Sequence, residues 1–200
     1  MSKKTKKKSA LRELIELALF VLGIVLTFKY IGRTNFIPSA SMSPTLEPGD
    51  YVVTNKLASS IEDFSRGDMI IFNLDPTRYK ECNNTLVSKD IQFIKRVVAL
   101  PGETMSIENN VLTINGEVIP QDFILEPMQY TWPEYTVPEG TLIVLGDNRN
   151  DSCDSSVWGP IPSDQIVGKV ALPLTFPQPV RDVTLELSKF TSKFYDLVGG

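Results

Sequence analysis

A serine in a Pro-bounded turn and a lysine in an apolar run are the residues of this chain best suited to chemistry, and the chain contains no histidine. The serine lies in Pro38-Ser39-Ala40-Ser41-Met42-Ser43-Pro44-Thr45-Leu46. The lysine lies in Phe93-Ile94-Lys95-Arg96-Val97-Val98-Ala99-Leu100-Pro101-Gly102-Glu103. Without histidine a Ser-His-Asp triad is impossible, so a serine nucleophile needs another base, and lysine is the usual substitute. An exposed lysine, with a pKa near ~10.4, stays charged at neutral pH. Desolvation penalises the charged form and brings it to about 7–8, where it accepts a proton. A fall of roughly three units corresponds to about 4 kcal/mol. Phe93, Ile94, Val97 and Val98 provide an apolar setting for such a fall. The bland alternatives are a structural serine in a turn and a solvated Lys95-Arg96 strand edge.

A third segment bears on the choice: Gly146-Asp147-Asn148-Arg149-Asn150-Asp151-Ser152-Cys153-Asp154-Ser155-Ser156-Val157-Trp158-Gly159. Dense in Asx, Ser and Gly, it reads either as a self-bonded turn or as a loop that holds a lysine amine by hydrogen bonds. A penicillin-binding Ser-x-x-Lys arrangement is excluded, because Pro44 stands where its lysine belongs.

The elements that must position these residues fall into three parts. Lys3, Lys4, Lys6, Lys7, Lys8 and Arg12 are six of the 20 basic residues, and no acidic residue precedes Glu13. The body is therefore acidic and repels nucleic acid, so the basic head reads as a topology signal. Behind it, the uncharged run Leu17–Phe28 is 12 residues, short of the ~20 that a spanning helix needs. Counting outward to Arg12 and Ile31 restores the length, with Lys29 snorkelling to the interface. A cleavable secretory leader with small residues at Ser39-Ala40-Ser41 is the competing reading. Cleavage there would destroy the serine segment, which favours an anchor. In both readings the basic end stays in the cytoplasm and the body is exported.

The body reads as strands punctuated by turns: Tyr51–Lys56, Met69–Leu74, Ile91–Leu100, Thr141–Leu145 and Gln165–Val170. Val111–Ile114, Asn115-Gly116 and Glu117–Ile119 form a hairpin signal, since Asn-Gly suits a type I′ turn. No helical period is expected between residues 40 and 170. Asp75–Asp90 reads as a mobile polar loop. Asp122–Gly140 reads as a loop folded over the core, or as an apolar rim touching lipid. Pro173, Pro177 and Pro179 are expected to end the sheet. Val183, Leu187, Phe190, Phe194 and Leu197 then mark one face of an amphipathic helix, packed on the domain or lying on a membrane surface. The expected layout is a basic cytoplasmic segment 1–10, a transmembrane anchor 11–32, a β-rich catalytic domain 33–178 and a helix 179–200. Cys82 and Cys153 are compatible with an oxidising compartment, as one disulfide or as two thiols.

The three segments, in this order behind an anchor, resemble the type I signal peptidases, membrane-anchored Ser-Lys proteases with a mainly β, antiparallel catalytic domain. The resemblance implies that Ser41 is the nucleophile and Lys95 the general base. It implies an oxyanion hole formed by the Ser39 hydroxyl and the Ser41 backbone N–H, and substrate contact at Met42. Ser152 would hydrogen-bond the Lys95 amine, Arg96 would pair with Asp147, and Asp154 falls on the family's acidic position. The substrates implied are the signal peptides of preproteins, cut after small residues; no metal or organic cofactor is implied, and the other partner is membrane lipid, with no nucleic acid. Two positions depart from the family: Asn150-Asp151 stands where Asp-Asn is common, and Ser156 replaces a basic or polar residue that pairs with Asp154. Cys153 lies between Ser152 and Asp154, so a disulfide to Cys82 would tether the 75–90 loop to the site. The Arg149-Asn150 variant resembles cyanobacterial or plastid members, which puts the body in a periplasm or thylakoid lumen. Rival readings are a self-cleaving repressor of the DNA-damage response, an anchored β-rich binding protein and an impaired family member.

Overall fold

Short β-branched runs separated by Gly, Pro and Asx turns fold as two antiparallel sheets. The structure, a computed structural model, describes residues 12–24, 32–58, 60–83 and 92–198. In chain order its elements begin with a helix α1 (12–24), β1 (Gly32–Phe36), β2 (Tyr51–Asn55), β3 (Met69–Asn73), α2 (Pro76–Asn83) and β4 (Gln92–Ala99). They continue with β5 (Thr104–Glu108), β6 (Val111–Ile114), β7 (Glu117–Val118), β8 (Trp132–Thr136) and β9 (Thr141–Leu145). The chain closes with α3 (Ser155–Trp158), β10 (Ile161–Pro162), β11 (Ile166–Leu174) and α4 (Gln178–Val198). One sheet runs β1-β2-β11-β3-β4-β9-β10 and the other β7-β6-β5-β8.

The mainly β, antiparallel class is the one expected. β9 explains how the sheets share a core. Its side chains alternate: Leu142 and Val144 join Phe72, Trp158 and Ile161, whereas Ile143 and Leu145 join Met105, Ile107 and Leu112 of the second sheet. A strand covered on both faces reads as a continuous apolar run, as Thr141–Leu145 does. Full burial of each such side chain contributes about 1.5–3 kcal/mol. The β6–β7 hairpin turns at Asn115 and Gly116, both with positive φ (52° and 82°), as a type I′ turn requires.

Several expectations need correction. The Asp75–Asp90 loop is in part the helix α2, with residues 84–90 outside the described set. Asp75 accepts hydrogen bonds from the Thr77 N–H (2.8 Å) and hydroxyl (2.7 Å), and Pro76 occupies the first helical position, where its missing N–H costs nothing. Together with the single turn α3, this overturns the absence of helix between 40 and 170. The 122–140 segment contains β8, and Met128 and Val137 are buried against the second sheet, so it covers the core. Pro173 does not end the sheet: it lies within β11, opposite Val52. It is tolerated there because β3 pairs with β11 only as far as Lys169, so that flank needs no N–H donor.

At the C-terminus, α4 is tied to the domain by its start. Phe176 N–H donates to Asp50 (2.9 Å) and the Thr184 hydroxyl to the Gly49 carbonyl (2.8 Å). The expected packing of the Val183/Leu187/Phe190 face is not made, and Phe190 is 71% exposed. Arg181, Thr184, Leu185 and Ser188, a 3–4–7 stripe, form the half-buried side instead, which turns the apolar stripe outward. Among the described residues no helix is long and apolar enough to cross a membrane. The expected basic segment 1–10, and residues 11 and 25–31 of the expected anchor, lie outside those described.

Gly168 on β11 has no room for a side chain, since a Cβ there would stand 2.3 Å from the Asn55 carbonyl oxygen. Gly168→Ala is expected to destabilise the fold by about 2–3 kcal/mol, a loss of roughly 5–10 °C in Tm. Thermal denaturation checks this, and an unchanged Tm would show that β2 and β11 can separate at no cost.

Candidate active site

Ser41 projects from a tight turn closed by Ser43 N–H to the Ala40 carbonyl (3.0 Å) and Leu46 N–H to the Met42 carbonyl (2.9 Å). Met42 and Leu46 fix that turn by inserting beside Ile37, Val52 and Ile71. Met42 is 0% exposed, so the expected substrate contact at Met42 is not available. An apolar side chain one residue after the serine is the anchor of the turn, and burial takes it out of reach.

Lys95 comes from the middle of β4, opposite Ile70 on β3. Its Nζ lies 2.6 Å from Ser41 Oγ, and the residue is 3% exposed. Burial lowers the amine from its ordinary 10.5 to about 8, while the Asp154 and Asp147 carboxylates pull in the opposite direction. The amine therefore loses its proton close to neutral pH, as a base must. The Ser39 hydroxyl is 3.4 Å from the Ser41 hydroxyl, on the exposed side.

The third segment locks these two together. Asn148 donates from its backbone N–H to the Ser41 carbonyl and from Nδ2 to the Ala40 carbonyl, both at 3.2 Å. Asp147 accepts from Arg96 Nε (2.7 Å) and Nη2 (2.5 Å) and from the Thr45 hydroxyl (2.6 Å). Arg96 also donates to the Gly67 carbonyl (2.7 Å) and lies over the Phe123 ring at 4.2 Å. A bidentate pair of this kind is both strong and directional, and it joins all three segments. Asp154 accepts from Gly146 N–H (2.9 Å), Ser156 N–H (3.0 Å) and the Ser156 hydroxyl (2.8 Å). The hydroxyl of Ser156 thus engages the Asp154 carboxylate directly.

Ser152 departs from expectation. It stands beside the pair, yet its Oγ has no hydrogen-bond partner in the protein, and the bond to the Lys95 amine is not made. Its hydroxyl is instead seated over Gly146: a Cβ there would meet Ser152 Oγ at 2.2 Å and the Ser41 carbonyl at 2.4 Å. Only glycine permits that approach. Thr45, Asn148 and Phe123 were not singled out from sequence. Thr45 and Asp147 are 102 positions apart, and no local pattern signals such a contact.

Cys82 and Cys153 form a disulfide with a Cα–Cα separation of 5.9 Å, and both sulfurs pack against the Phe72–Trp158 cluster. The bond ties α2 to the residue between Ser152 and Asp154. No cluster of three or more metal-binding side chains occurs among the described residues.

Residues 11–175 match the family profile described as "Signal peptidase, peptidase S26". The chain belongs to the signal peptidase family. Over 148 residues it is 40% identical to a probable signal peptidase I-1 of Synechocystis, covering 74% of this chain and 73% of that one. It is 37% identical over 143 residues to a signal peptidase I of Leptolyngbya laminosa, covering 72% and 68%. It is also 40% identical over 146 residues to the chloroplastic thylakoidal processing peptidase 1 of Arabidopsis thaliana, covering 73% of this chain and 43% of that longer one. As a signal peptidase, this chain is a hydrolase that removes signal peptides from preproteins.

Two outcomes follow from the geometry of this signal peptidase. The Lys95 proton is released near 8 when folded but near 10.5 when unfolded, so the unfolded state holds the extra proton between those values and stability rises with pH across that window. Lys95→Met should therefore be more stable than wild type below about pH 8, by up to roughly 3 kcal/mol, and should lack the rise; denaturant melts at several pH values test both. Opening the disulfide, with its separation of 71 residues, should cost about 2–4 kcal/mol and slow cleavage. Tm and turnover of Cys82→Ser, or of wild type with reductant, measure this, and unchanged turnover would uncouple α2 from the site.

Proposed function

We propose that this signal peptidase cuts through a Ser41–Lys95 dyad, a reading carried by the 2.6 Å approach of Lys95 Nζ to Ser41 Oγ in a buried setting. Neutral Lys95 accepts the Ser41 hydroxyl proton while Oγ bonds to the scissile carbonyl carbon. The carbonyl oxygen becomes an oxyanion, which the Ser39 hydroxyl and the Ser41 backbone N–H stabilise. Support for Ser39 is its exposed hydroxyl, 3.4 Å from Ser41 Oγ. As the C–N bond breaks, the Lys95 ammonium returns the proton to the departing amine. Water then attacks the acyl carbonyl carbon, giving a proton to Lys95; as the bond from that carbon to Ser41 Oγ breaks, the Lys95 ammonium returns the proton to Oγ, and the signal peptide leaves with a new carboxyl end. Arg96, Asp147 and Asp154 act by positioning: they fix the loop that holds the serine turn against β4.

The same reading places the catalytic domain on the exported side of a membrane, with residues 11–32 as a single anchor and the basic head on the cytoplasmic or stromal side. The apolar side chains of α1 support it, with Leu17, Leu19, Phe20 and Leu22 each at least half exposed around the helix, as in a segment made for lipid. The outward apolar stripe of α4 supports contact with a membrane surface. Ser41 lies ten residues after Ile31, a span of at most about 35 Å, so the site stays close to where signal peptides end.

The test is cleavage of a preprotein carrying an Ala-x-Ala site by full-length protein in detergent, with products weighed by mass spectrometry. Wild type should cut after the last small residue, while Ser41→Ala and Lys95→Ala should lose at least about 10³-fold in rate. The wild-type rate should rise about tenfold per pH unit below about 8 and level off above it, following the Lys95 amine. Asp154→Asn removes a charge that holds the ammonium, so the rise should move to lower pH. An intact preprotein with wild type, or equal cutting by Lys95→Ala, overturns the dyad.

A further inference from the structure

A second polar feature adjoins the catalytic pair. Arg149 is 2% exposed, yet among the described residues no carboxylate forms an ion pair with it. Its Nε donates to the Gly146 carbonyl (3.0 Å), its Nη1 reaches only the Met128 sulfur (3.4 Å), and its Nη2 has no partner in the protein. The Tyr130 hydroxyl is buried and likewise has no partner. Arg149, Tyr130 and Ser152 all line one cavity of about 570 Å³, together with Trp132 and Pro133. That size is within the range of ligand pockets.

Burying an arginine without a counter-charge is costly, and the residues that carry these unpartnered donors line one cavity. The neighbouring acids do not answer the need. Asp147 is taken by Arg96 and Thr45, and Asp154 by Gly146 and Ser156. A guanidinium and a phenol that line the same cavity, each with a donor left without a partner, suit a carboxylate, which accepts on two oxygens. The cavity lies close to the Ser41 turn, because Ser152 lines it and the Ser152 Oγ and Ser41 carbonyl oxygen both lie within 2.4 Å of the Cβ position of Gly146.

We propose that this cavity is a subsite for the carboxylate of an acidic side chain on the preprotein, bound by Arg149 and Tyr130. The inference rests on the signal-peptidase reading and adds a specificity element to it. The signal segment itself supplies a basic head, an apolar core and small residues before the cut, none of which is acidic. The acidic residue therefore lies just downstream of the scissile bond, in the mature part of the substrate. The contact makes Arg149 and Tyr130 specificity-determining residues and gives the enzyme a preference on the leaving side of the bond.

The experiment uses full-length protein in detergent and paired peptides with an Ala-x-Ala site. The members of each pair differ only by Glu or Gln at the first, second or third position after the cut. Wild type should favour Glu over Gln in kcat/KM by about tenfold at one of these positions, the scale of hydrogen bonds to a charged group. The Glu/Gln ratio should fall several-fold in Tyr130→Phe and approach one in Arg149→Gln. Tyr130→Phe deletes only an oxygen without a partner, so it keeps the test valid if Arg149→Gln fails to fold. Sodium acetate should compete with the Glu peptide alone. Equal inhibition of both peptides would mean that the cavity takes a free carboxylate rather than a side chain, which overturns the proposal. A wild-type ratio of one at all three positions, or a ratio untouched in Tyr130→Phe, also overturns it while leaving the peptidase reading intact. If neither peptide is cut, the dyad has failed, and the binding of each pair to Ser41→Ala, read by fluorescence anisotropy, decides the subsite by the same ratio.

Discussion

Holding the Lys95 amine out of water, 2.6 Å from the Ser41 hydroxyl, is the constraint to which the surrounding structure answers. Water would keep the amine charged, and a charged amine cannot take the serine proton. The protein therefore gives up solvation at that point and offsets only part of the cost. Asp154 and Asp147 favour the ammonium, but neither is paired with it, and burial prevails, leaving the amine near 8. In the mechanism proposed above, the same two carboxylates would steady the ammonium while it carries the transferred proton. The amine is thus poised between its charged and neutral forms by effects of opposite sign.

Such poise requires a rigid frame. β4 lies between β3 and β9, and β9 is covered by apolar side chains on both faces, so Lys95 grows from a strand with little freedom to shift. The serine turn is a separate excursion, fastened below by Met42 and Leu46 in the core. From the side, Asn148 and the Arg96–Asp147–Thr45 group hold it. Low dielectric strengthens each bond in that group and raises the cost of losing a member. The disulfide from α2 to Cys153 reaches the far end of the same loop, so a peripheral helix shares in its support.

How much of this was legible from residue types varied with the range of the interaction. The Asn115-Gly116 turn and the runs at 51, 69, 111 and 141 announced themselves because strand alternation and turn chemistry are local. β5 and β8 did not, since Thr104–Glu108 mixes polar and apolar residues and Trp132–Thr136 carries Pro133. Their strand character comes from tertiary pairing, β5 between β6 and β8, and β8 against β5. α2 had a local signal, Asp75-Pro76, outweighed by the polarity of the residues after it. The outward orientation of the α4 apolar stripe could not be read from its period, because a period defines a face but not what that face meets.

By itself, the sequence determined the chemistry on offer: no histidine, a serine in a constrained turn, a lysine among apolar neighbours, and a dense Gly-Asp-Asn-Arg loop. It also determined the antiparallel β class, because alternation and turn residues act over a few positions. Tertiary structure alone decided that Lys95 Nζ meets Ser41 Oγ, that Met42 is sealed in the core, and that the Ser152 hydroxyl makes no hydrogen bond to the amine. It decided as well that Arg149 is buried without a carboxylate beside it. Each of those depends on side chains brought together across tens of residues, where burial and hydrogen bonding are settled by packing that no local pattern records.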